Sequence, residues 1–427
     1  MLRSFAGRSL ADRPATARDV RRGTWERWPG KRGRVHGASG WASATLPPFL
    51  DGGLALAESA SSVLRPSRTS STVGIVANPA SGRDIRRLVS QASVFPTTEK
   101  SNMVQRMLGA LGALGVDRVL MMPELTGICA GVHRAGQRLR ASPEVRWPQV
   151  QVLDTRSEES VRDTLEAVDR MIAEGVAVII VLGGDGTHRA VASRCGAVPL
   201  ATLSSGTNNV FPDLREATVT GLAAGLVALG RVPAGIALRR QKLLRIATST
   251  PGQPEEIALV DACVSSLRHV GARALWQPGT ISELAVTFAE PDAIGLSSVA
   301  GLLHPVGRQE PHGLLLRLAP PRSAQARMTV AAPIAPGLIA EVGVAALEVL
   351  VPGRSIALQA RSGTLALDGE RELEFSAAEL AVTLDLCGPF TIDVPATLSW
   401  AARHGVLRTD DKAHGNGSPH REEPLFT

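Results

Sequence analysis

The chain has 427 residues, a formal net charge of +6, eight Phe and no Tyr. That length exceeds one ordinary core, so two domains with a cleft between them are expected. The positive charge belongs to one end, because residues 1–70 carry 12 Lys/Arg against 5 Asp/Glu and leave the remainder near neutral; with few aromatic rings to stack bases, no nucleic-acid partner is expected.

Residues 1–70, rich in Arg, Gly, Ser, Ala and Pro and without sustained periodicity, read as a disordered basic extension. An Arg-rich start resembles an organellar targeting segment, but no clear amphipathic helix supports that reading. From residue 71 strands and helices alternate: strand 73–77, helix 99–114, strand 118–122, helix 127–139 and strand 150–153. A helix opening at Ser157 and Glu158 runs through Ala173, followed by the apolar strand 176–182, helix 187–194, strand 198–203 and helix 218–229. Strands apolar on both faces and separated by helices imply a parallel sheet covered on both sides, so 71–235 is predicted to be an α/β domain.

Beyond it the runs at 238–248, 256–264, 284–289, 314–318, 327–330, 355–360, 364–367 and 380–386 are short, β-branched or Leu-rich, and punctuated by Gly and Pro. They predict a β-rich domain at 236–395, a sandwich or folded sheet. Residues 396–427 hold a closing helix at 397–407 and a polar, frayed remainder. The apolar stretches at 176–182 and 342–351 are too short to cross a bilayer, and no signal pattern opens the chain. Cys129, Cys195, Cys263 and Cys387 lie far apart without a C-x-x-C pair, so neither zinc nor disulfides are expected, and a cytoplasmic location fits.

The sharpest feature is VIIVLGGDGTHRAV at 178–191, a buried strand, a glycine-rich turn and a helix. In an open α/β sheet such a turn sits at the carboxyl end of a strand, where ligands bind. The bare backbone at Gly183, Gly184 and Gly186 lets amides approach phosphate oxygens, and the helix directs its positive end at the same anion. An ordinary strand-to-helix turn needs a glycine or two but no carboxylate between them. The loop is neither a Walker A loop nor a dinucleotide fingerprint. Asp185 beside a polyphosphate would repel it unless it binds Mg²⁺ or takes a proton from an attacking hydroxyl, and phosphoryl transfer needs both roles.

Two further loops follow neighbouring strands: VGIVANPASGR (73–83), with Asn78 and Gly82, and ATLSSGTNNVFP (201–212), with Gly206, Thr207, Asn208 and Asn209. Each alone could be Asx and Gly turn chemistry, whereas three would converge on one sheet edge. In GTLALDGERELEF (363–375), Asp368-Gly369 between alternating residues signals a tight hairpin, and Glu370 could reach across the cleft. His188 is expected to be an exposed first-turn residue. Asp261 could face the cleft and needs a partner if buried. Arg268, Arg273 and Lys242 either pair with phosphates or solvate a surface.

NPASG, GGDGT, SSGTNN and DGE in this order resemble the superfamily of NAD kinases and diacylglycerol and sphingosine-type lipid kinases, most of all its acetoin catabolism protein X (ATP-NAD kinase-like) group. The resemblance spans about 73–407. It implies an α/β nucleotide-binding domain followed by a β-sandwich, with ATP and Mg²⁺ in the cleft, and a hydroxyl of NAD or a related small molecule as acceptor, hence NADP formation or a link to acetoin catabolism. It further implies that Asn78 and Gly82 touch ATP, that Gly183, Gly184, Gly186 and Thr187 line its phosphates, and that Gly206, Thr207, Asn208 and Asn209 complete the pocket. Asp185 is then the main catalytic carboxylate and Glu370 the second. No integral membrane association is implied, and a homo-oligomer is left open. A lipid kinase is an alternative that needs an apolar patch, for which 296–303 is the candidate. A catalytically silent nucleotide-binding regulator is another, because His188-Arg189-Ala190 stands where lipid kinases usually carry an Asn-Glu pair.

Overall fold

The computed structural model describes residues 71–82, 85–139, 146–271 and 273–408; the basic extension at 1–70 and the tail from 409 lie outside them. Five strands, β1 (Thr72–Ala77), β2 (Arg118–Met121), β3 (Gln149–Val152), β4 (Val178–Gly183) and β5 (Leu200–Ser204), run parallel in the order β3-β2-β1-β4-β5. β1 and β4 are buried at every position, as sequences TVGIVA and VIIVLG require of strands covered on both faces. Between the strands lie α1 (Arg86–Val89), α2 (Thr97–Leu114), α3 (Ile128–Leu139), α4 (Val161–Ala173), α5 (Asp185–Ala192) and α6 (Ala217–Ala228).

α2, α3 and α6 cover one face of this sheet, and α4 and α5 the other. Met107, Leu108 and Leu111 of α2 are fully buried and stabilise that layer by about 1.5–3 kcal/mol each. α4 begins three residues later than the nearest polar signal suggests, because Ser160 caps it in a reciprocal box with Asp163. It packs tightly on β1 at Gly74, where a Cβ would stand 2.6 Å from the Met171 sulfur.

The second half of the chain is antiparallel. After α7 (Ala234–Ala237) and β6 (Leu238–Arg240) come β7 (Leu243–Thr248), β8 (Glu256–Ala258), β9 (Asp261–Ser265), β10 (Ile281–Val286), α8 (Ser297–Gly301), β11 (Gly313–Ala319), β12 (Met328–Ala335) and β13 (Leu338–Leu350). The remaining strands are β14 (Ser355–Ala357), β15 (Ser362–Leu367), β16 (Glu370–Ser376), β17 (Leu380–Asp385) and β18 (Phe390–Ile392), followed by α9 (Val394–Arg403). Seven of them form a sheet in the order β12-β13-β11-β10-β9-β15-β16 and four a smaller sheet, β14-β17-β7-β8. Leu244, Ile246, Val382 and Leu384 of the smaller sheet pack on Val264, Leu315, Leu365 and Leu367 of the larger, which makes a sandwich. The fold is therefore an α/β parallel-sheet region followed by a β-rich region, as the sequence predicts.

The chain then returns to its beginning: β18 pairs with β5 and β6, so the first sheet reads β3-β2-β1-β4-β5-β18-β6. Two predicted strands are split. The run 238–248 divides at Gln241 and Lys242 into β6 of the first sheet and β7 of the sandwich, and the run 256–264 divides into β8 and β9 of opposite sandwich layers. Residues 296–303 are mostly interior: Leu296, Val299 and Ala300 are buried in the core on the outer side of the larger sheet, and Leu302 is the exposed large apolar side chain of the segment. Among the described residues no helix is long and apolar enough to cross a membrane.

Candidate functional site: a cleft between the parallel sheet and the sandwich

From β1 the chain leads outward to β2 and β3, then crosses back to β4 and β5 on the other side of β1. Loops leaving β1 and β4 thus diverge, and a crevice opens at their carboxyl ends. A cavity of about 580 Å³ lies there. Asn78, Gly82, Gly184, Asp185, Gly186, Thr187, Gly206, Thr207, Asn208, Asn209 and Glu370 all line it. Gly183 does not: it ends β4, buried, and a Cβ there would stand 2.6 Å from the Thr187 Cβ, so its bareness serves the turn.

The three loops are tied together before any ligand arrives. Asn78 Oδ1 accepts from the Ala80 amide at 2.9 Å, and its Nδ2 donates to Thr187 Oγ1 at 2.9 Å. Ser81 and Ser205 share a hydroxyl hydrogen bond of 2.8 Å, and Asn209 Nδ2 donates to Ser204 Oγ at 2.7 Å. The Asn208 side-chain oxygen accepts from Arg86 at 2.7 and 3.1 Å. Beneath the first loop, Lys100 of α2, fully buried, donates to the carbonyls of Asn78, Pro79 and Ser81 at 3.0, 3.0 and 3.1 Å.

At the glycine turn no side chain caps α5; the Thr187 amide donates to the Gly184 carbonyl at 3.1 Å, and the Asp185 and Gly186 amides are left for an incoming anion. A Cβ at Gly184 would stand 2.8 Å from Asn209 Oδ1 and 3.2 Å from Ser81 Oγ, closing that approach. Asp185 turns its carboxylate toward the third loop: Oδ1 accepts from the Val210 and Phe211 amides at 3.0 and 2.8 Å, and Oδ2 from Val210 at 3.1 Å. Burial, reinforced by the nearby Asp368 charge, raises its pKa to about 7 against the pull of those amides and of Arg86.

The opposite wall comes from the sandwich. Asp368 and Gly369 form the β15–β16 turn with φ of +52° and +74°, which fits the hairpin expected of Asp-Gly. The Asp368 carboxylate points inward and accepts from the Leu259, Val260 and Asp261 amides at 3.0, 2.8 and 3.3 Å. Burial lifts its pKa to about 6 against Arg189, and burial together with Asp368 and Asp185 lifts Asp261 to about 8. Glu370 faces Gly186, its carboxylate 3.5–3.7 Å from where a Cβ on that glycine would stand, and burial raises its pKa against Arg86 and Arg273. Arg189 crosses the cleft from α5 to Glu372 at 2.6 Å and Asp368 at 3.6 Å; Arg273 pairs with Glu372 and lies 3.9 Å from Glu370.

Sequence reasoning misplaced some side chains and missed others. His188 is fully buried, not exposed: its Nδ1 meets the Gly184 carbonyl at 2.8 Å, and burial lowers its pKa to about 4. Lys242 neither binds phosphate nor solvates a surface; it is buried against the carbonyls of Gly307, Glu310 and His312. Asp261 is buried, and its Oδ1 accepts from the Gly369 amide at 3.3 Å. Arg268 is exposed, whereas Arg273 lines the cavity. Arg86 and Lys100 were not singled out, although both follow the NPASG loop closely enough for a search of its flanks to find them. Among the described residues no group of three or more His, Cys, Asp or Glu converges to hold an ion. The Asp185, Asp368 and Asp261 carboxylates each accept from backbone amides instead.

Two family models match successive parts of the chain. Residues 73–232 match the ATP-NAD kinase N-terminal domain, and residues 242–386 match the acetoin catabolism protein X C-terminal domain. Over 340 residues the chain is 48% identical to the acetoin catabolism protein X of Cupriavidus necator, which covers 79% of this chain and 94% of that relative. A solved Bacillus anthracis chain named as a diacylglycerol kinase shares 11% identity over 75% of this chain and 97% of its own, with a TM-score of 0.35, too slight a likeness to bear on function.

Proposed function

The chain belongs to the acetoin catabolism protein X family and its residues 73–232 match the ATP-NAD kinase N-terminal domain; on that premise we propose that it transfers the γ-phosphoryl group of ATP to a hydroxyl of NAD or a related small molecule. One observation carries the reading: a carboxylate, Asp185, at the uncapped start of α5, and Glu370, which faces Gly186, line one cavity. The open amides of α5 and the loops at 78–82 and 205–209 hold the triphosphate. Magnesium enters with the nucleotide as MgATP, as part of the substrate, and neutralises phosphate charge.

Asp185 Oδ2 accepts the proton of the acceptor hydroxyl as that oxygen forms its bond to the γ-phosphorus. The bond from the γ-phosphorus to the β,γ-bridging oxygen breaks, and ADP leaves with the electron pair. Its raised pKa suits the task, because a base near 7 is ionised at working pH yet strong enough to take the proton. Glu370 orients the acceptor across the cleft, and Arg86, Arg189 and Arg273 offset the negative charge that gathers there.

The test is transfer of labelled γ-phosphate from MgATP to NAD, NADH and diacylglycerol by the full chain. NAD or a related small hydroxyl compound should be labelled, and Asp185→Asn should lower turnover by about 10²–10⁴-fold with ATP binding retained. ATP binding without transfer to any acceptor would reassign the protein as a nucleotide-binding regulator. Labelled diacylglycerol would favour the lipid-kinase alternative, whose candidate patch is reduced to Leu302 by the burial of Leu296, Val299 and Ala300.

A further inference from the structure

The Val210–Phe211 dipeptide is gripped from two sides. Its two amides go to the Asp185 carboxylate. Its two carbonyls go to one guanidinium: Arg308 Nη2 donates to Val210 O at 2.7 Å and Nη1 to Phe211 O at 2.9 Å. Arg308 comes from the β-rich region and does not line the cavity that holds Asp185. Its own orientation is fixed three times over. Glu290 accepts from its Nε and Nη2, each at 3.1 Å; the guanidinium lies 4.3 Å from the centre of the Phe288 ring; and its turn is held by Lys242, which takes the carbonyls of Gly307, Glu310 and His312.

We propose that Arg308 is a positioning residue for Asp185: by holding the carbonyl side of residues 210 and 211, it keeps their amides aimed at the catalytic carboxylate from the far side of the loop. A peptide plane carries its donor and acceptor on opposite edges, so fixing one edge sets the direction of the other. Two amide donors stabilise the ionised carboxylate and leave Oδ2 the lone pair that takes the proton. A planar fork with parallel donors suits two successive carbonyls, and an ammonium does not. The sandwich thus contributes to the reacting carboxylate without touching substrate. The catalytic consequence rests on the kinase reading, whereas the effect on Asp185 does not.

The experiment therefore reads Asp185 directly. In the full chain with ¹³C-carboxyl-labelled aspartate, the Asp185 resonance is identified by its loss in Asp185→Asn. The charges facing Asp185 are Asp368 and Asp261 from the sandwich and Arg86 from α1, with Glu370 beyond Gly186 and Arg189 one turn along α5; Arg308→Met alters none of them. Arg308→Met should raise the Asp185 midpoint by about one pH unit, and Arg308→Lys by less. In the transfer assay Arg308→Met should lower kcat about tenfold with the KM for ATP within about twofold. Added to Asp185→Asn, it should cost nothing further.

An unmoved midpoint in a folded Arg308→Met protein overturns the proposal. So does an unmoved midpoint in Arg308→Lys should the methionine variant fail to fold. Equal losses of kcat in the presence and absence of the Asp185 carboxylate would reduce Arg308 to a packing role. If the wild-type chain transfers no phosphoryl group, the kinase reading fails on its own, and the midpoint still decides whether Arg308 sets Asp185.

Discussion

The wall of the cavity built by residues 71–237 offers mostly main-chain amides and small polar groups, braced by the pairs Asn78–Thr187, Ser81–Ser205 and Asn209–Ser204. The facing wall offers Asp368, Glu370 and Glu372, with Arg189 and Arg273 threaded between them. The first depends on backbone direction at three strand ends and needs little from its side chains beyond compactness. The second depends on charges that are costly to bury and must be balanced in place. Phosphate binding should therefore tolerate changes of charge and be intolerant of added atoms, whereas the acidic wall should show the reverse.

The largest effect expected is on chemistry. Asp185→Asn, where the walls meet, should reduce transfer by about 10²–10⁴-fold. Wild-type turnover should itself fall as pH drops through about 7, since the base must be ionised; a profile flat between pH 6 and 8 would remove Asp185 from that role.

Next comes stability of the acidic wall. Arg189→Met strips the buried Asp368 and the half-buried Glu372 of a partner and should cost about 3 kcal/mol at pH 8. The loss should be smaller at pH 5, where Asp368, with its pKa near 6, carries a proton. Urea unfolding at the two pH values measures it, and equal losses would mean that Asp368 is not the main partner.

On the amide wall, Gly184→Ala should weaken MgATP binding about tenfold by calorimetry, about 1.4 kcal/mol, because the methyl group meets Asn209 and Ser81. Undiminished affinity would move the triphosphate elsewhere.

The smallest effect concerns Asp261. Its folded pKa, about 8, lies above the 3.8 of an ordinary Asp side chain, so the native state binds a proton that the unfolded chain has released. Its contribution to stability consequently falls as pH rises from about 4 through 8. Asp261→Asn lacks this slope and should melt higher than wild type at pH 8, by on the order of 2 °C, and near it at pH 4.5. A constant difference across that range would contradict the raised pKa.

The same contrast explains what could be read in advance. Apolar runs such as 178–182 and the periodicity of α2 and α4 reflect a sheet buried on both faces, so the order of elements in the first half was legible. The glycine loop was legible because the backbone geometry it needs is written in residue type. The sandwich was less so. β13, its longest strand, carries Gly343 at its centre and alternates irregularly between buried and exposed positions, which hides the period of two. Gln241 and Lys242 read as part of one strand at 238–248, yet they are the buried corner where the chain changes sheets; the Gln241 side-chain amide donates to Thr391 at 2.7 Å. Lys100 is disguised in the same way, since a lysine on a helix ordinarily implies a solvated face. Arg308 lies nearly a hundred residues from the dipeptide it holds, and only tertiary structure joins them.

The whole sequence contains four lysines, Lys31, Lys100, Lys242 and Lys412, beside a large excess of arginine. Of these, Lys100 and Lys242 fall among the described residues, and each plugs three inward carbonyls with diverging N–H groups that a flat guanidinium cannot reproduce. Among the described residues, amine-reactive reagents therefore meet two shielded targets, one under the nucleotide loop and one under the turn bearing Arg308. Acylation of Lys100, followed by peptide mass, becomes a timer for transient opening of the 78–82 loop, and a bound nucleotide should slow it while leaving Lys242 to keep its own time.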